Sequence, residues 1–356
     1  MSTPRENVLR TLRRQGFEWV PVEMGFCPSQ VEAFRRRFGH EDYRSYFQIP
    51  FRDTDLELRT TYQNPRDLYE QETLPDDVSF NAYGIANSRQ PGCYHMTHMH
   101  HPLAGEVSLS RIKDYPLPII VEPSIGRVKS DIQRFHEQGL ASFGGLATLW
   151  ETAWALRSME DLMADMMADD ERAVVLFDRI TDHAIMRTRH YVQGGADIIG
   201  TGDDVGMQNT TMMSPELWRK WIKPRLARLI SSARDINPDV LVWYHSDGYI
   251  IPFLEDLIEI GVDILNPVQP ECMNFEEVYR LADGRLSFWG TIGTQKTLPF
   301  GTPAEVKREV FSRLEVCGKN GGIVIAPTHV VEPEVPWENL VAMAEAAAEF
   351  NKRKTE

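Results

Sequence analysis

From about residue 140 to the C-terminus, short apolar runs rich in β-branched residues alternate with longer stretches of helical period. Few folds accept that beat. The runs are LASFGG (140–145), ADIIGTGDD (196–204), VLVWYHSD (240–247), VDILNPVQ (262–269), LSFWGTI (286–292) and GIVIAPTH (322–329). Strands this apolar, spaced by helices, describe parallel βαβ units covered on both faces. The intervening helices carry their own start signals: Ser214 as N-cap with Pro215 and Glu216 behind it, and Thr302 opening a helix that stops at Gly318 and Lys319. Upstream, ENVLRTLRRQG predicts a helix, FEWVPVEMG (17–25) a seventh strand, and FRDTDLEL (51–58) a weaker eighth. Eight strands alternating with helices predict an α/β fold of the (β/α)8 TIM-barrel class, one domain over residues 1–356. The stretch 59–120, rich in Asn, Pro, Gly and His, is expected to be an irregular or hairpin insertion without a core of its own. No G-x-G-x-x-G follows the first strand, which removes the main support for an open dinucleotide-binding sheet.

Composition narrows the function classes. Hydrophobic residues make up 42% of 356, enough for a sizeable core, and 38 Lys+Arg against 52 Asp+Glu leave a formal charge of −14. An acidic surface argues against a non-specific hold on nucleic acid or anionic lipid. No apolar run is long enough for a membrane span, and the basic N-terminus lacks a following apolar core. Cys27, Cys93, Cys272 and Cys317 are widely spaced and read as reduced thiols, so a cytoplasmic location is expected. There is no G-x-S-x-G elbow, no phosphate-binding P-loop and no H-E-x-x-H.

Barrel chemistry sits at the C-terminal ends of the strands. There the chain offers Glu23, then Trp150 and Glu151, Asp203 and Asp204, His245 and Asp247, Asn266 and Gln269, Thr291 and Gln295, and finally Thr328 and His329. Residues i and i+2 of a strand share a face, so His245 and Asp247 project together, and His329 approaches from the last strand. Two imidazoles and a carboxylate make a workable set of Zn²⁺ ligands with a position left for substrate or water. The same groups serve equally as metal-free acid–base or binding residues, or as partners for neighbouring backbone. Of the adjacent pair Asp203 and Asp204, at most one faces the mouth. There it binds a hydroxyl or a cationic nitrogen or acts as a base; the alternative is a charge at a helix N-terminus. The histidines His95, His98, His100 and His101 match no zinc signature and read as a lid. Trp154, Trp243 and Trp289 are expected in the core, with Trp150 lining a pocket.

From about Gly194 onward the chain resembles the uroporphyrinogen decarboxylase superfamily. The phrases that carry the likeness are GGADIIGTGDDVG, SPELWRKWIKPRL, YHSDGYIIPFLEDLIEIGVDILNPVQ, FWGTIGTQKTLPFGTP and GGIVIAPTHVVEPEVPWENL. The resemblance implies a (β/α)8 barrel and one of two chemistries: cofactor-free decarboxylation of a tetrapyrrole, or zinc-dependent methyl transfer between a corrinoid protein and a thiol or tetrahydrofolate acceptor. His329 falls where the decarboxylase branch carries its C-terminal G-H-G histidine. That branch's arginine-rich R-Q-A-G-R-Y segment is missing, with Glu23 in its region, and no cation stands among the strand-end residues to hold a polycarboxylate. The methyltransferase branch places H-x-C and a later Cys on zinc. Here His245 matches the histidine, Asp247 stands at the first cysteine and His329 at the second.

Oxygen and nitrogen ligands in place of thiolates imply a harder, more Lewis-acidic metal suited to an oxygen-bearing substrate. The reading is therefore a metal-dependent group-transfer enzyme, a methyltransferase or demethylase working with a corrinoid protein on a small molecule. His245, Asp247 and His329 would hold zinc or another divalent metal. Asp204 or Glu151 would handle protons, and Glu23, Trp150, Asp203, Asn266, Gln269 and Gln295 would shape the substrate pocket. One alternative is a lyase acting on a small organic acid or sugar-derived substrate, with His329 and Asp247 as acid and base. Another is a non-catalytic small-molecule binder. The acidic surface and the histidine-rich insertion would serve a partner protein or a second copy in a homodimer.

Overall fold

The computed structural model describes residues 2–70, 72–89, 97–317 and 320–353. In chain order the strands are β1 (Phe51–Thr54), β2 (Leu58–Arg59), β3 (Ser79–Phe80), β4 (Ala86–Arg89), β5 (Thr97–His100), β6 (Ile119–Ile120), β7 (Ala141–Ala147), β8 (Ile198–Gly202), β9 (Leu241–His245), β10 (Ile264–Asn266), β11 (Ser287–Trp289) and β12 (Ile323–Val324). Seven of them form one parallel sheet in the order β1-β7-β8-β9-β10-β11-β12, with helices in the crossovers, so the fold is α/β and TIM-barrel-like.

The two N-terminal strand expectations come out reversed in strength. Phe51–Thr54, expected to be the weaker strand, pairs in register with Ala141–Gly144 of β7. The 17–25 segment is no regular strand: it runs beside β12 through the isolated parallel bridges Val22 to Ile325 and Phe26 to Val331. Pro21 explains this. It has no N–H to donate and contributes only its carbonyl, which accepts from Ile325 N–H at 3.0 Å.

The curl of the sheet is visible in its inward side chains. Phe143 of β7, Trp243 of β9 and Trp289 of β11 meet edge to face, with ring centroids 5.3–6.4 Å apart. The Trp289 indole N–H donates to Glu23 Oε2 at 3.2 Å. These four residues come from alternate positions around the barrel, the layered filling such a cylinder requires. They form the floor on which the mouth is built.

The insertion is a small three-stranded antiparallel sheet, β3-β4-β5, followed by β6, which pairs with β2. Tyr69, Leu74 and Ala86 form a minor apolar cluster of their own. The Tyr69 hydroxyl lies 2.9 Å from both the Gly84 and His100 carbonyls, which share its one proton, and accepts from Ala86 N–H. The expected lid histidines lie here. His100 bonds to Glu72 and Ser88, and His101 to the Ala155 carbonyl of the 150–157 helix. His95 lies outside the described residues, as does Cys93. Cys27, Cys272 and Cys317 are free thiols. No helix among the described residues is long and apolar enough to cross a membrane.

At the opposite end of the strands, Asp197 ties the N-terminal helix to the sheet. It accepts from Arg5 (2.7 Å to Nη2), from His136 Nε2 (2.9 Å) and from Ser142 N–H (3.0 Å). Burial alone would raise this carboxyl, but Arg5, the Ser142 N–H and His136 outweigh it and hold the group below the ordinary aspartate value. Removing one partner of such a buried network strands the others. Asp197→Ala should cost about 3 kcal/mol in denaturant unfolding at neutral pH. Because the folded-state value is depressed, this stabilisation is complete above the unfolded-state pKa of about 3.9 and is lost as pH falls through the folded one. The variant should therefore unfold with a shallower acid dependence than the wild type.

Candidate active site at the mouth of the barrel

The mouth is organised by two loops that cross backbone to backbone. Asp203 N–H donates to the His245 carbonyl at 3.0 Å, and Tyr249 N–H to the Met207 carbonyl at 2.8 Å. Val205 N–H donates to Ser246 Oγ at 3.1 Å, and Asp247 N–H to Asp204 Oδ1 at 2.8 Å. Gly206 and Gly248 make the crossing possible. A Cβ on Gly206 would lie 2.8 Å from the Gly248 carbonyl carbon, and one on Gly248, whose φ is +83°, 2.6 Å from that of Gly206.

The crossing gathers Asp204, His245 and Asp247, with one ligand atom of each within 4.8 Å of the others. His245 Nε2 lies 3.6 Å from Asp204 Oδ1 and 4.0 Å from Asp247 Oδ1. Its Nδ1 lies 2.7 Å from Asn266 Oδ1, while Asn266 Nδ2 donates to the Trp289 carbonyl at 2.6 Å. With the amide nitrogen committed, the amide oxygen must face His245. Nδ1 then carries the proton and Nε2 offers its lone pair to the space between the carboxylates.

Asp247 Oδ1 is buried with no hydrogen-bond partner among the described residues. Burial raises this carboxyl, Asp204 adds to the rise, and His245 and His329 oppose it. Glu151, at the start of the 150–157 helix, is pushed up to about 7, first by burial and then by the neighbouring Asp204 charge. A divalent ion fits this set. For ligand bonds of about 2.1 Å, tetrahedral ligands stand about 3.4 Å apart, close to the separations seen, and an orphaned buried carboxylate oxygen calls for a cation or a proton.

His329 was expected beside His245 and Asp247, and the group whose ligand atoms converge with theirs is Asp204. Past β12 the chain stays bridged at Ile325, Pro327 and Val331, and His329 lies five residues beyond Val324, whereas Asp204 stands two residues beyond Gly202 at the end of β8. His329 is exposed and lines two cavities that meet at the cluster. One, about 310 Å³, also takes in His245, Glu23, Asn266, Trp243 and Trp289. The other, about 280 Å³ and polar, takes in Asp247, Gln269, Thr294 and Gln295.

Two expected substrate contacts are displaced. Asp203 is buried and accepts from Glu151 N–H at 2.9 Å, so it sits at the N-terminus of the 150–157 helix and not in the mouth. Burial, with Glu151 close by, pushes its carboxyl well above the usual range. Trp150 is fully buried in the core, and the tryptophans that line the cavity are Trp243 and Trp289. Asn266 and Gln269 reach the cavities but are engaged: Gln269 Oε1 accepts from Gly248 N–H at 2.7 Å and so steadies the 245–248 loop.

The sequence reading also missed Arg44 and Arg52, which line the larger cavity and overturn the expectation of a mouth without cations. They precede or begin β1, so the rule that looks to strand C-termini passes over them. Glu23 is pushed up by burial, which its bond from Trp289 and the nearby Arg44 only partly offset.

Fold and site together define a TIM-barrel-like α/β protein with an acidic, histidine-bearing centre at its mouth. A family model described as uroporphyrinogen decarboxylase (URO-D) matches residues 108–350, more than half of the chain, and the protein belongs to that family. Uroporphyrinogen decarboxylases from two strains of Thermus thermophilus are each 24% identical over 260 residues, covering 70% of this chain and 71% of theirs. A methyltransferase from Methanosarcina mazei, 19% identical, shares the fold over 98% of this chain and 99% of its own with a TM-score of 0.69.

In metal-free protein, Glu151 should titrate near pH 7 in a carboxyl-resolved infrared or NMR experiment. Asp204→Asn removes the second cause of that rise and should lower the value measurably, with burial keeping it above that of a free glutamate. A value unchanged by the substitution would contradict the closeness of the two carboxyls.

Proposed function

We propose that this protein is a metal-dependent group-transfer enzyme, and specifically that it takes a methyl group from a small oxygen-bearing substrate in concert with a corrinoid carried by a partner protein. The observation that carries this reading is the Asp204–His245–Asp247 set, with its converging ligand atoms and the orphaned Asp247 Oδ1. Zinc or another divalent ion held there would act as a Lewis acid toward the substrate oxygen. The full-length fold match to a methyltransferase supports the choice of chemistry as analogy only.

The chain's own residues do the rest. Asn266 fixes the tautomer and the aim of His245. The oxygen left behind by a departing methyl group needs a proton, and Glu151, pushed up to about 7 and near Asp204, would supply it. A cavity of about 310 Å³ is at the small end of ligand pockets, so a macrocycle would have to stay outside the mouth and be presented by a partner.

A second reading, a carboxy-lyase acting on a small organic acid, gains from Arg44 and Arg52 beside the cavity and from the raised carboxyls of Asp247 and Glu151. Metal content and product separate the two. Elemental analysis of the purified protein should find about one divalent ion per chain, lost in His245→Ala and Asp247→Ala and kept in His329→Ala. The loaded protein should demethylate a methoxylated substrate when supplied with reduced cobalamin. Metal-free protein that releases CO2 from an organic acid would establish the second reading and refute the first.

A further inference from the structure

The larger cavity has a composition that the transfer reading does not by itself require. Four aromatic rings line it: Phe51, Phe143, Trp243 and Trp289, the first lying 4.3 Å from Trp289 between centroids. Trp243 stacks beneath the His245 imidazole at 5.6 Å and 15°, so an aromatic face leads directly to the reactive cluster. Arg44 and Arg52 line the same cavity.

The two arginines differ. Arg44 is ion-paired with Asp53 and lies by the Tyr43 hydroxyl. Arg52 bonds only through Nη1, to the Ile49 and Phe51 carbonyls at 2.8 and 2.7 Å. Among the described residues its Nε and Nη2 have no hydrogen-bond partner. That leaves the two-donor edge of a guanidinium, whose spacing matches a planar carboxylate.

We propose that this cavity binds a small aromatic carboxylate, the ring lying against the Trp243–Trp289 wall and the carboxylate on the Nε–Nη2 edge of Arg52. The size of the space, about 310 Å³, suits a single ring and its substituents. A cationic aromatic amine is the rival for such a wall, since rings also attract cations. It would need a free carboxylate here. Asp53 is paired with Arg44, and burial holds Glu23 toward its neutral, protonated form. Desolvation and the neighbouring Arg44 charge lower Arg52, and Asp42, Asp53 and Tyr43 only partly offset them. The inference deepens the proposed function by naming its substrate class and rests on that reading only for what happens to the bound molecule.

The test is calorimetric titration of the metal-stripped full chain, with tryptophan fluorescence as a second readout. Probes are benzoate, 4-methoxybenzoate, cyclohexanecarboxylate and benzyltrimethylammonium. The two benzoates should bind and quench fluorescence, and cyclohexanecarboxylate should bind more weakly. Arg52→Gln should weaken benzoate roughly tenfold or more, and Arg52→Lys, which keeps the charge but loses the fork, by less. Asp53→Asn, which releases Arg44, should hold or strengthen benzoate binding, and this guards against reading a folding defect as a lost contact. Absence of benzoate binding, tighter binding of the ammonium, or an Arg52→Gln variant that binds benzoate as the wild type does would overturn the proposal. Benzoate binding without turnover by metal-loaded enzyme would sink the transfer reading and leave this one standing; demethylation of an uncharged ether with no benzoate binding would do the reverse.

Discussion

The backbone crossing of the loops after β8 and β9 is the contact on which the rest of the site depends. Gly206 and Gly248 leave no space for a Cβ, and the hydrogen bonds they permit bring the Asp204 carboxylate to the Asp247 N–H. Without that contact the two carboxylates, distant in sequence, have no reason to share a space. With it, three side chains able to hold a metal ion converge, and burial, with the acidic neighbours adding to it, raises the carboxyls of Asp247 and Glu151.

Beneath that crossing, barrel geometry supplies the floor. Alternate strands send Phe143, Trp243 and Trp289 inward, and Glu23 meets Trp289 from the N-terminal segment. Alternation then places His245 on the same side as Trp243, two residues earlier, and Asn266 on the neighbouring strand locks the imidazole. The centre has an aromatic cavity on the His245 side and a polar one on the Asp247 side, with His329 in the walls of both.

Much of this was legible in the residues. The βα beat from residue 140 predicts six strands of the parallel sheet, and the family likeness read from GGADIIGTGDDVG and YHSDG agrees with the URO-D family match. The N-terminal strands were harder, because Pro21 interrupts a ladder whose side-chain pattern reads as a good strand. At the site, His245 and Asp247 could be paired by strand period, yet the approach of Asp204 to them depends on the crossing of the loops after β8 and β9, which side-chain pattern does not report. Asp203 and Asp204 are chemically equivalent neighbours; only the position of the 150–157 helix decides that the first is absorbed by backbone N–H groups. Trp150 lost its place to Trp243 and Trp289 because hydrophobicity alone does not say which indole faces a cavity. Arg44 and Arg52 carry no signal at all in a reading confined to strand ends.

The account turns on a cation between Asp204, His245 and Asp247. The most direct measurement is a crystal of zinc-loaded protein with anomalous difference maps recorded on either side of the zinc absorption edge. A single peak bonded to His245 Nε2 and to one oxygen of each of Asp204 and Asp247, with His329 outside bonding range, is the predicted result. Zinc absent from that space, or held by His329 without Asp204, would contradict it.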